Sequence, residues 1–292
     1  MDQGKLKMTE DRNQKLVERL AEMSLREQRA RRRWGVFFRL VFFGYIGFLT
    51  AAYFYHQPED FAGKPHLAVI SINGIIAANS DNNAARINET LRVAFAEESA
   101  RGVVLRINSP GGSVVESNRI YQEIRRLRAK YPNKKVYAVA GDFCASGGYY
   151  VAAATDQIYV DENSLVGSIG VIFSSFGFVD AMKKLGVERR VQTAGDSKNM
   201  FDPFSPQDPE MRGRVENIID AMHENFKTAV REGRGARLLS RPDIFEGAVF
   251  VGTESVSLGL ADGVGDTFYV AHQIVGVEEI IYYDNKSDWL DV

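Results

Sequence analysis

The most restrictive feature of this sequence is an apolar stretch from Trp34 to Tyr55, in which Arg39 is the only charged residue. A helix needs about 20 apolar residues to cross a bilayer, so the stretch is long enough for one membrane span. Arg39 lies about one turn inside it, and a long arginine side chain can reach back to the interface. We therefore predict a transmembrane helix at 34–55.

Two alternatives for this stretch are a cleaved secretory signal and an unusually apolar core helix. A secretory signal has a short polar leader and an apolar stretch of about 7–15 residues, whereas here a long polar segment comes first. Arginines crowd the amino-terminal flank, and the other flank is neutral to acidic. The positive-inside rule then predicts a single pass through the inner membrane, with the N-terminus cytoplasmic and the rest of the chain extracytoplasmic (periplasmic).

Polar and apolar residues divide the chain into five predicted segments. These are a cytoplasmic tail at 1–33, the transmembrane helix at 34–55, a linker at 56–66, the main domain at 67–284 and a C-terminal tail at 285–292. The net charge is −2, and no basic stripe interleaved with aromatic residues is present, so nucleic acid is not an expected partner. The single cysteine excludes an intrachain disulfide.

In the main domain, β-rich apolar runs alternate with helical patterns. Strands are predicted at 67–72, 103–108, 136–140, 157–160, 189–193 and 280–283, and helices near 83–98, 114–130, 147–154, 178–185, 206–232, 253–259 and 267–275. Gly233 and Gly235 are expected to end the long helix. This alternation is typical of an α/β fold with a mostly parallel sheet.

Ligands of parallel sheets bind beyond the carboxyl ends of the strands, and the loop at 108–113 follows such a strand. Gly111 and Gly112 can adopt positive φ there and expose backbone amides ahead of a helix, as an oxyanion hole requires. The alternative is an ordinary strand-to-helix turn with Ser113 as the N-cap.

A second loop places Ser146 ahead of two glycines at the start of a helix, where positive partial charge stabilises an alkoxide. Cys144 stands where a G-x-S-x-G elbow has glycine, which disfavours an α/β-hydrolase. Cys144 is itself a rival nucleophile, although free cysteines are commonly small buried hydrophobes.

Histidine is a poor candidate for the base. The four histidines are His56, His66, His223 and His272, and none has motif-like neighbours. No His, Asp or Glu spacing resembles a metal site. We therefore expect neither a Ser-His-Asp triad nor a metal, and no cofactor.

Four motifs together resemble the signal peptide peptidase (protease IV) family of Ser/Lys-dyad serine peptidases. They are SPGGS at 109–113, ASGGYY at 145–150, GSIGV at 167–171 and AGDSKNMFDPF at 194–204. Their order and spacing are more specific than any one motif, and the similarity covers about residues 67–266. It implies a Clp protease/crotonase-like fold of stacked β-β-α units.

The resemblance also implies roles for individual residues. Ser146 matches the nucleophile, Lys198 the general base, and Ser168 a serine that orients the lysine. Gly111 and Gly112 match the oxyanion-hole loop. The resemblance also implies a homo-oligomeric ring whose active sites take the serine and the lysine from adjacent protomers. The sequence alone leaves open whether Ser146 and Lys198 pair within one chain or between chains.

A lysine base is chemically demanding, because its pKa must fall from about 10.4 to about 7–8, which corresponds to about 4 kcal/mol. Burial or nearby positive charge can cause this. The neighbours Met200 and Phe201 favour desolvation, whereas Asp196 would oppose it, so we expect Asp196 to point away from Lys198.

The function implied is that of a membrane-anchored endopeptidase that degrades remnant signal peptides and similar membrane-derived peptides. Three alternatives remain: a membrane peptidase of the same fold with a different protein substrate, a crotonase-like acyl-CoA enzyme, and a scaffold without catalysis. The predicted anchor and the Ser/Lys pair disfavour the acyl-CoA enzyme.

Overall fold

The computed structural model describes Met23, residues 31–51 and residues 63–283. The chain divides into two units, Met1–Ala62 and Gly63–Val292. Most of the predicted cytoplasmic tail, most of the linker and the whole C-terminal tail at 285–292 lie outside the described residues.

In the first unit, Arg31–Ala51 forms one helix, α1. Its 21 residues rise about 1.5 Å each, which gives about 31 Å, close to the thickness of the hydrocarbon core of a bilayer. Its mean hydropathy reaches 1.5, and its apolar side chains are exposed. By length and composition the helix fits a membrane anchor; residues 52–55 of the predicted span lie outside the described residues.

Residues 63–283 contain an eight-stranded sheet. The strands are β1 (His66–Asn73), β2 (Ala100–Ser109), β3 (Lys135–Ala145), β4 (Gln157–Val160), β5 (Leu165–Gly167), β6 (Val249–Val251), β7 (Gly263–Val264) and β8 (Glu279–Tyr282). Their order is β6-β5-β3-β2-β1-β8, and β4 lies between β3 and β7. The β5–β6 pair is antiparallel, and the other pairs are parallel.

The helices of this unit follow the predicted alternation. They are α2 (Ala84–Ala96), α3 (Val114–Lys130), α4 (Gly147–Ala152), α5 (Val179–Lys184), α6 (Pro209–Arg234), α7 (Gly252–Ser257) and α8 (Thr267–Tyr269), and a π-helical turn (Val270–Val275) continues from α8. Ser113 caps α3 by accepting the Glu116 N–H, and Asp208 caps α6 by accepting the Glu210 N–H at 2.8 Å. Pro209 is the first residue of α6, a position that proline favours.

The core lies on both faces of the sheet. Along β1, Ala68 and Ile70 face a large cluster that includes side chains of α2, α3, α4 and α6. Leu67 and Val69 face a smaller cluster under the turn after α8. Strands buried on both faces carry continuous apolar runs, which is the pattern that located them in the sequence.

Strand β3 changes its pairing partner near its carboxyl end, and this change positions the loop that follows the strand. Residues 137–139 pair with β4, whereas residues 143–145 pair with β5. The register with β2 also shifts between Ile107 and Ser109. The carboxyl end of β3 therefore runs between β2 and β5.

The structure differs from the predicted elements in several details. Gly233 lies inside α6, which instead ends before Gly235 at φ 55°. Gly233 packs so closely on the Ala153 carbonyl that a Cβ would overlap it, so this glycine serves helix packing. Strands β5, β6 and β7 were not predicted, because two or three residues are too few to show a period.

Residues 171–208, called the arm below, form no strand. The strand predicted at 189–193 is wrong, because no other strand of the described residues pairs with this segment to hydrogen-bond its backbone. Helix α5 and a series of turns make up the arm, and most of its side chains are exposed.

Candidate active site

Ser146 joins β3 to α4 in a strained conformation, with φ 50° and ψ −121°. Positive φ is costly for a residue with a Cβ, on the order of 1–3 kcal/mol. Its N–H donates to the Gly167 carbonyl at 2.8 Å, which fixes the turn against β5. Its half-buried side chain makes no capping hydrogen bond to the helix, so the hydroxyl is available for other chemistry.

The loop at 108–113 packs directly on this serine. Gly111 has φ 106°, and a Cβ there would lie 2.6 Å from the Ser146 Cβ and 3.0 Å from its Oγ. Only glycine fits such an approach. Ile76 holds the loop in place, because its N–H donates to the Gly111 carbonyl at 2.9 Å and its carbonyl accepts the Ser113 N–H at 2.8 Å.

The two predicted oxyanion-hole amides differ in their hydrogen bonds. The Gly111 N–H donates to the buried Ser109 Oγ at 3.1 Å. The Gly112 N–H, by contrast, finds no acceptor among the described residues. Gly112 therefore has the freer donor, and Gly111 mainly provides the close approach to Ser146.

Gly147 is a second free donor that the sequence analysis missed. As the first residue of α4, its N–H has no acceptor within the helix. A Cβ on Gly147 would lie 3.2 Å from the Gly112 nitrogen, so the two amides are close together beside Ser146. The signal available in the sequence was its position directly after the serine at a predicted helix start.

Ser168 lies next to this arrangement. Ala145 and Gly167 are paired at the ends of β3 and β5, so Ser146 and Ser168 follow neighbouring strand ends. Ser168 also has φ 50°, and these two serines are the non-glycine residues with positive φ in the described part of the chain. Its N–H donates to the Ala248 carbonyl at 2.7 Å.

Lys198 makes no hydrogen bond to Ser146 within one chain. It is exposed in the arm, and its side chain has no hydrogen bond or ion pair with any described residue. Its backbone N–H donates to the Gly195 carbonyl at 3.2 Å. Asp196 is likewise exposed and forms no ion pair with Lys198 among the described residues.

The rival nucleophile is poorly suited to catalysis. Cys144 is fully buried, and this burial raises the pKa of its thiol to about 12. At neutral pH the reactive thiolate is therefore negligible.

The histidines of the described residues serve other contacts. His66 is buried between the Lys64 carbonyl and the Tyr283 hydroxyl, at 2.9 and 2.8 Å. His223 Nε2 lies 3.2 Å from the Ile169 carbonyl, one residue beyond Ser168, a proximity that the sequence did not indicate. None of them hydrogen-bonds Ser146 in residues 63–283.

Sequence comparisons identify the fold and the family of the chain. The Clp protease family model matches residues 68–164, so the sheet and its first helices form a Clp protease-like fold. The model described as peptidase family S49 matches residues 128–275, about half of the chain. The chain belongs to this family, that of the signal peptide peptidases (protease IV).

Individual relatives share different portions of the chain. A signal peptide peptidase of Enterococcus faecium is 28% identical over 71% of this chain and 62% of its own length. A protease of Synechocystis sp. is 30% identical over 71% of this chain and 73% of its own.

A protein of Brucella melitensis is 47% identical over 60% of this chain, which is 24% of that protein, and is named as a Na(+)/H(+) antiporter. The chain thus spans about a quarter of this relative and less than two thirds of the Enterococcus one. The name Na(+)/H(+) antiporter refers to the whole Brucella protein, of which this chain matches 24%.

Proposed function

We propose that this chain is a membrane-anchored serine endopeptidase in which Ser146 is the nucleophile and Lys198 the general base. The observation that carries the proposal is the arrangement at the end of β3. There a strained serine with an uncommitted hydroxyl lies against a glycine loop, beside the free amides of Gly112 and Gly147. Membership of peptidase family S49 supports peptide hydrolysis as the reaction at this site.

The reaction has two steps. Ser146 Oγ attacks the scissile carbonyl while its proton passes to the neutral Lys198 amine, and the amides of Gly112 and Gly147 stabilise the oxyanion. Collapse of the tetrahedral intermediate expels the amine of the leaving peptide, which takes the proton from Lys198. Water then attacks the acyl-enzyme, giving its proton to Lys198, and releases the second product as Ser146 regains its hydrogen.

The base must come from a second copy of the chain in this proposal. An amine stays neutral at working pH when it is removed from water, and Lys198 is exposed in a single chain. Covering the arm with a neighbouring protomer would both desolvate Lys198 and bring it to that neighbour's Ser146. Ser168, at the next strand end, would then hydrogen-bond and orient the lysine.

The apolar surface of the arm supports such an assembly. Ile172, Phe176 and Leu185 are 87%, 80% and 77% exposed. Large apolar side chains left exposed in one segment are typical of an interaction surface. We therefore propose a homo-oligomeric ring with shared active sites, as the family resemblance implies.

Helix α1 and the flanking charges support the membrane part of the proposal. The helix fits one span, the arginines before it favour a cytoplasmic N-terminus, and the domain at 67–284 would then act outside the cytoplasm. An anchored peptidase meets peptides that remain in the membrane. Remnant signal peptides are accordingly the proposed substrates, in agreement with the name of the Enterococcus relative.

A labelling experiment with a kinetic arm tests this function. The full chain in detergent is treated with a fluorophosphonate probe, and the modified residue is mapped by mass spectrometry. We expect the label on Ser146. Turnover of a fluorogenic signal-peptide substrate should be lost in Ser146→Ala and fall about 10²- to 10⁴-fold in Lys198→Ala.

Matched controls come from outside the arm. Ser257→Ala on α7 and Lys130→Ala on α3 remove an exposed serine and an exposed lysine, and both should keep parental turnover. Label on another residue, or full turnover in Lys198→Ala, would show that the Ser/Lys assignment is wrong. Retained turnover in Ser146→Ala would exclude the serine mechanism altogether.

A further inference from the structure

The segment that carries Lys198 is ordered by contacts within the arm itself. Residues 194–201, called the lysine loop below, form consecutive tight turns. The Met200 N–H donates to the Ser197 carbonyl at 3.3 Å, and the Asp202 N–H donates to the Asn199 carbonyl at 2.9 Å. Asp202 directly follows the loop and closes its last turn.

The Asp202 side chain accepts three hydrogen bonds from both sides of the loop. Arg189 Nε donates to Oδ2 at 2.9 Å from the amino-terminal side. Ser205 Oγ donates to Oδ2 at 2.8 Å, and the Phe204 N–H donates to Oδ1 at 3.2 Å, from the carboxyl-terminal side. The Asp202 side chain is only 8% exposed, in an arm whose other side chains are mostly exposed.

Aromatic contacts complete this cluster. The Phe204 and Phe178 rings are stacked, with their centroids 5.2 Å apart. The Arg189 guanidinium lies over the Phe204 ring, 5.2 Å from its centroid. The Phe178 N–H donates to the Pro203 carbonyl at 2.8 Å, which ties the cluster to the start of α5. One cluster thus joins three separate parts of the arm.

We propose that Asp202 is a positioning residue, whose carboxylate fixes the lysine loop in one conformation and so presents the Lys198 amine to the nucleophile. This inference rests on the proposed function, because it needs Lys198 to be the base. Asp202 touches neither substrate nor Ser146, and it acts through the loop.

Two physical arguments favour this role over simple stabilisation of the arm. A lysine that acts on another protomer must have its loop ordered beforehand, because a displacement of about 1 Å costs about 10²-fold in rate. The charge on Asp202 is also matched by Arg189 in an ion pair. The hydrogen bonds from Ser205 and Arg189 lower the pKa of the Asp202 carboxyl, so it stays ionised and keeps these donors at the working pH.

Steady-state kinetics of Asp202→Asn in the full-length assembly test the proposal. The amide keeps the shape of the side chain but cannot accept all three hydrogen bonds. We expect kcat on a fluorogenic peptide to fall about 10- to 100-fold while KM stays within about twofold. The rate of fluorophosphonate labelling of Ser146 should fall in parallel, with particle mass and melting temperature unchanged within about 2 °C.

Conservative variants separate positioning from folding. Arg189→Lys keeps a donor and should restore part of the kcat lost in Arg189→Gln. Glu188→Gln is the matched control, because Glu188 forms an exposed ion pair with Arg190 at 2.9 Å on the same arm, and its kcat should be parental. Should Asp202→Asn misfold, Ser205→Ala removes one hydrogen bond to the same carboxylate and is measured instead.

The outcomes distinguish the two proposals. An inactive Lys198→Ala combined with parental kcat in Asp202→Asn, or in Ser205→Ala if that variant replaces it, overturns only the role of Asp202. An equal loss in Glu188→Gln also overturns it, because the effect would then be general to the arm. An active Lys198→Ala overturns the proposed function itself, before Asp202 is considered.

Discussion

The sheet core and the arm differ in where their apolar side chains go. In the core, Leu105 and Ile107 are completely buried. In the arm, Ile172, Phe176 and Leu185 have more than three quarters of their surface exposed. The core is therefore complete within one chain, whereas the arm has apolar surface that nothing in residues 63–283 covers. The proposed nucleophile, Ser146, lies in the first region and the proposed base, Lys198, in the second.

The largest effect is expected from a charge placed on the arm. Phe176→Asp puts a carboxylate where a neighbouring protomer would cover an apolar ring, and a buried unpaired charge costs several kcal/mol. We expect the assembly to dissociate, and peptide turnover to fall at least about 100-fold with it. Analytical ultracentrifugation of the detergent-solubilised chain measures the particle mass.

The control for this variant lies on α2 of the core domain. Val93 is 56% exposed, and Val93→Asp should leave both particle mass and turnover unchanged. If both variants dissociate the particle, or if neither does, the arm is not the specific contact surface.

A matched pair of leucine truncations sharpens the comparison in terms of stability. Leu105→Ala should cost about 3 kcal/mol, because it removes a fully buried side chain and leaves a cavity. Leu185→Ala should cost less than about 0.5 kcal/mol in the dissociated chain, because that side chain is already 77% exposed. Urea denaturation at a protein concentration where the chain is monomeric measures both values, and similar losses would contradict the distinction.

A smaller effect concerns the pH dependence of the core. Hydrogen bonds from Arg126 and Arg92 lower the pKa of the buried Glu123 carboxyl from 4.5 to about 2. Because the folded-state pKa is the lower one, this stabilisation is fully present above about pH 4.5 and is lost as the pH falls toward 2. Both arginines are half-exposed, so we expect about 1–2 kcal/mol.

Urea unfolding from pH 7 to pH 3 checks this expectation. Glu123→Gln should lose stability at pH 7, and its difference from the parent chain should shrink as the pH is lowered. The exposed arm residue Glu188 provides the comparison, since Glu188→Gln should differ little from the parent chain at any pH. If the difference in unfolding free energy between Glu123→Gln and the parent chain stays constant from pH 7 to pH 3, the Glu123 charge does not contribute to stability.

The sequence predicts the core better than the arm for a physical reason. Runs such as 67–72 and 103–108 are apolar because both faces of their strands are buried within the same chain, so local pattern and tertiary packing agree. At 189–193 the same kind of local pattern gives no strand, because no strand of the described residues pairs with it. Pattern cannot show whether such a partner exists.

The candidate site was also only partly accessible from the sequence. The motifs locate Ser146 and the glycine loop, because glycines reveal backbone that must approach closely. The positive φ of Ser146 and Ser168 leaves no trace in composition, since serine shows no special preference for it. The contacts of Asp202 depend on residues brought together by several turns, and spacing alone does not specify them.

The burial of Cys144 has a practical consequence. It is the single cysteine of the chain, and its thiol has no accessible surface. Maleimide dyes or spin labels would therefore react only with cysteines introduced by design, without prior removal of the native one. Distances between labels on separate copies of the chain in the proposed assembly are thus measurable without replacing Cys144.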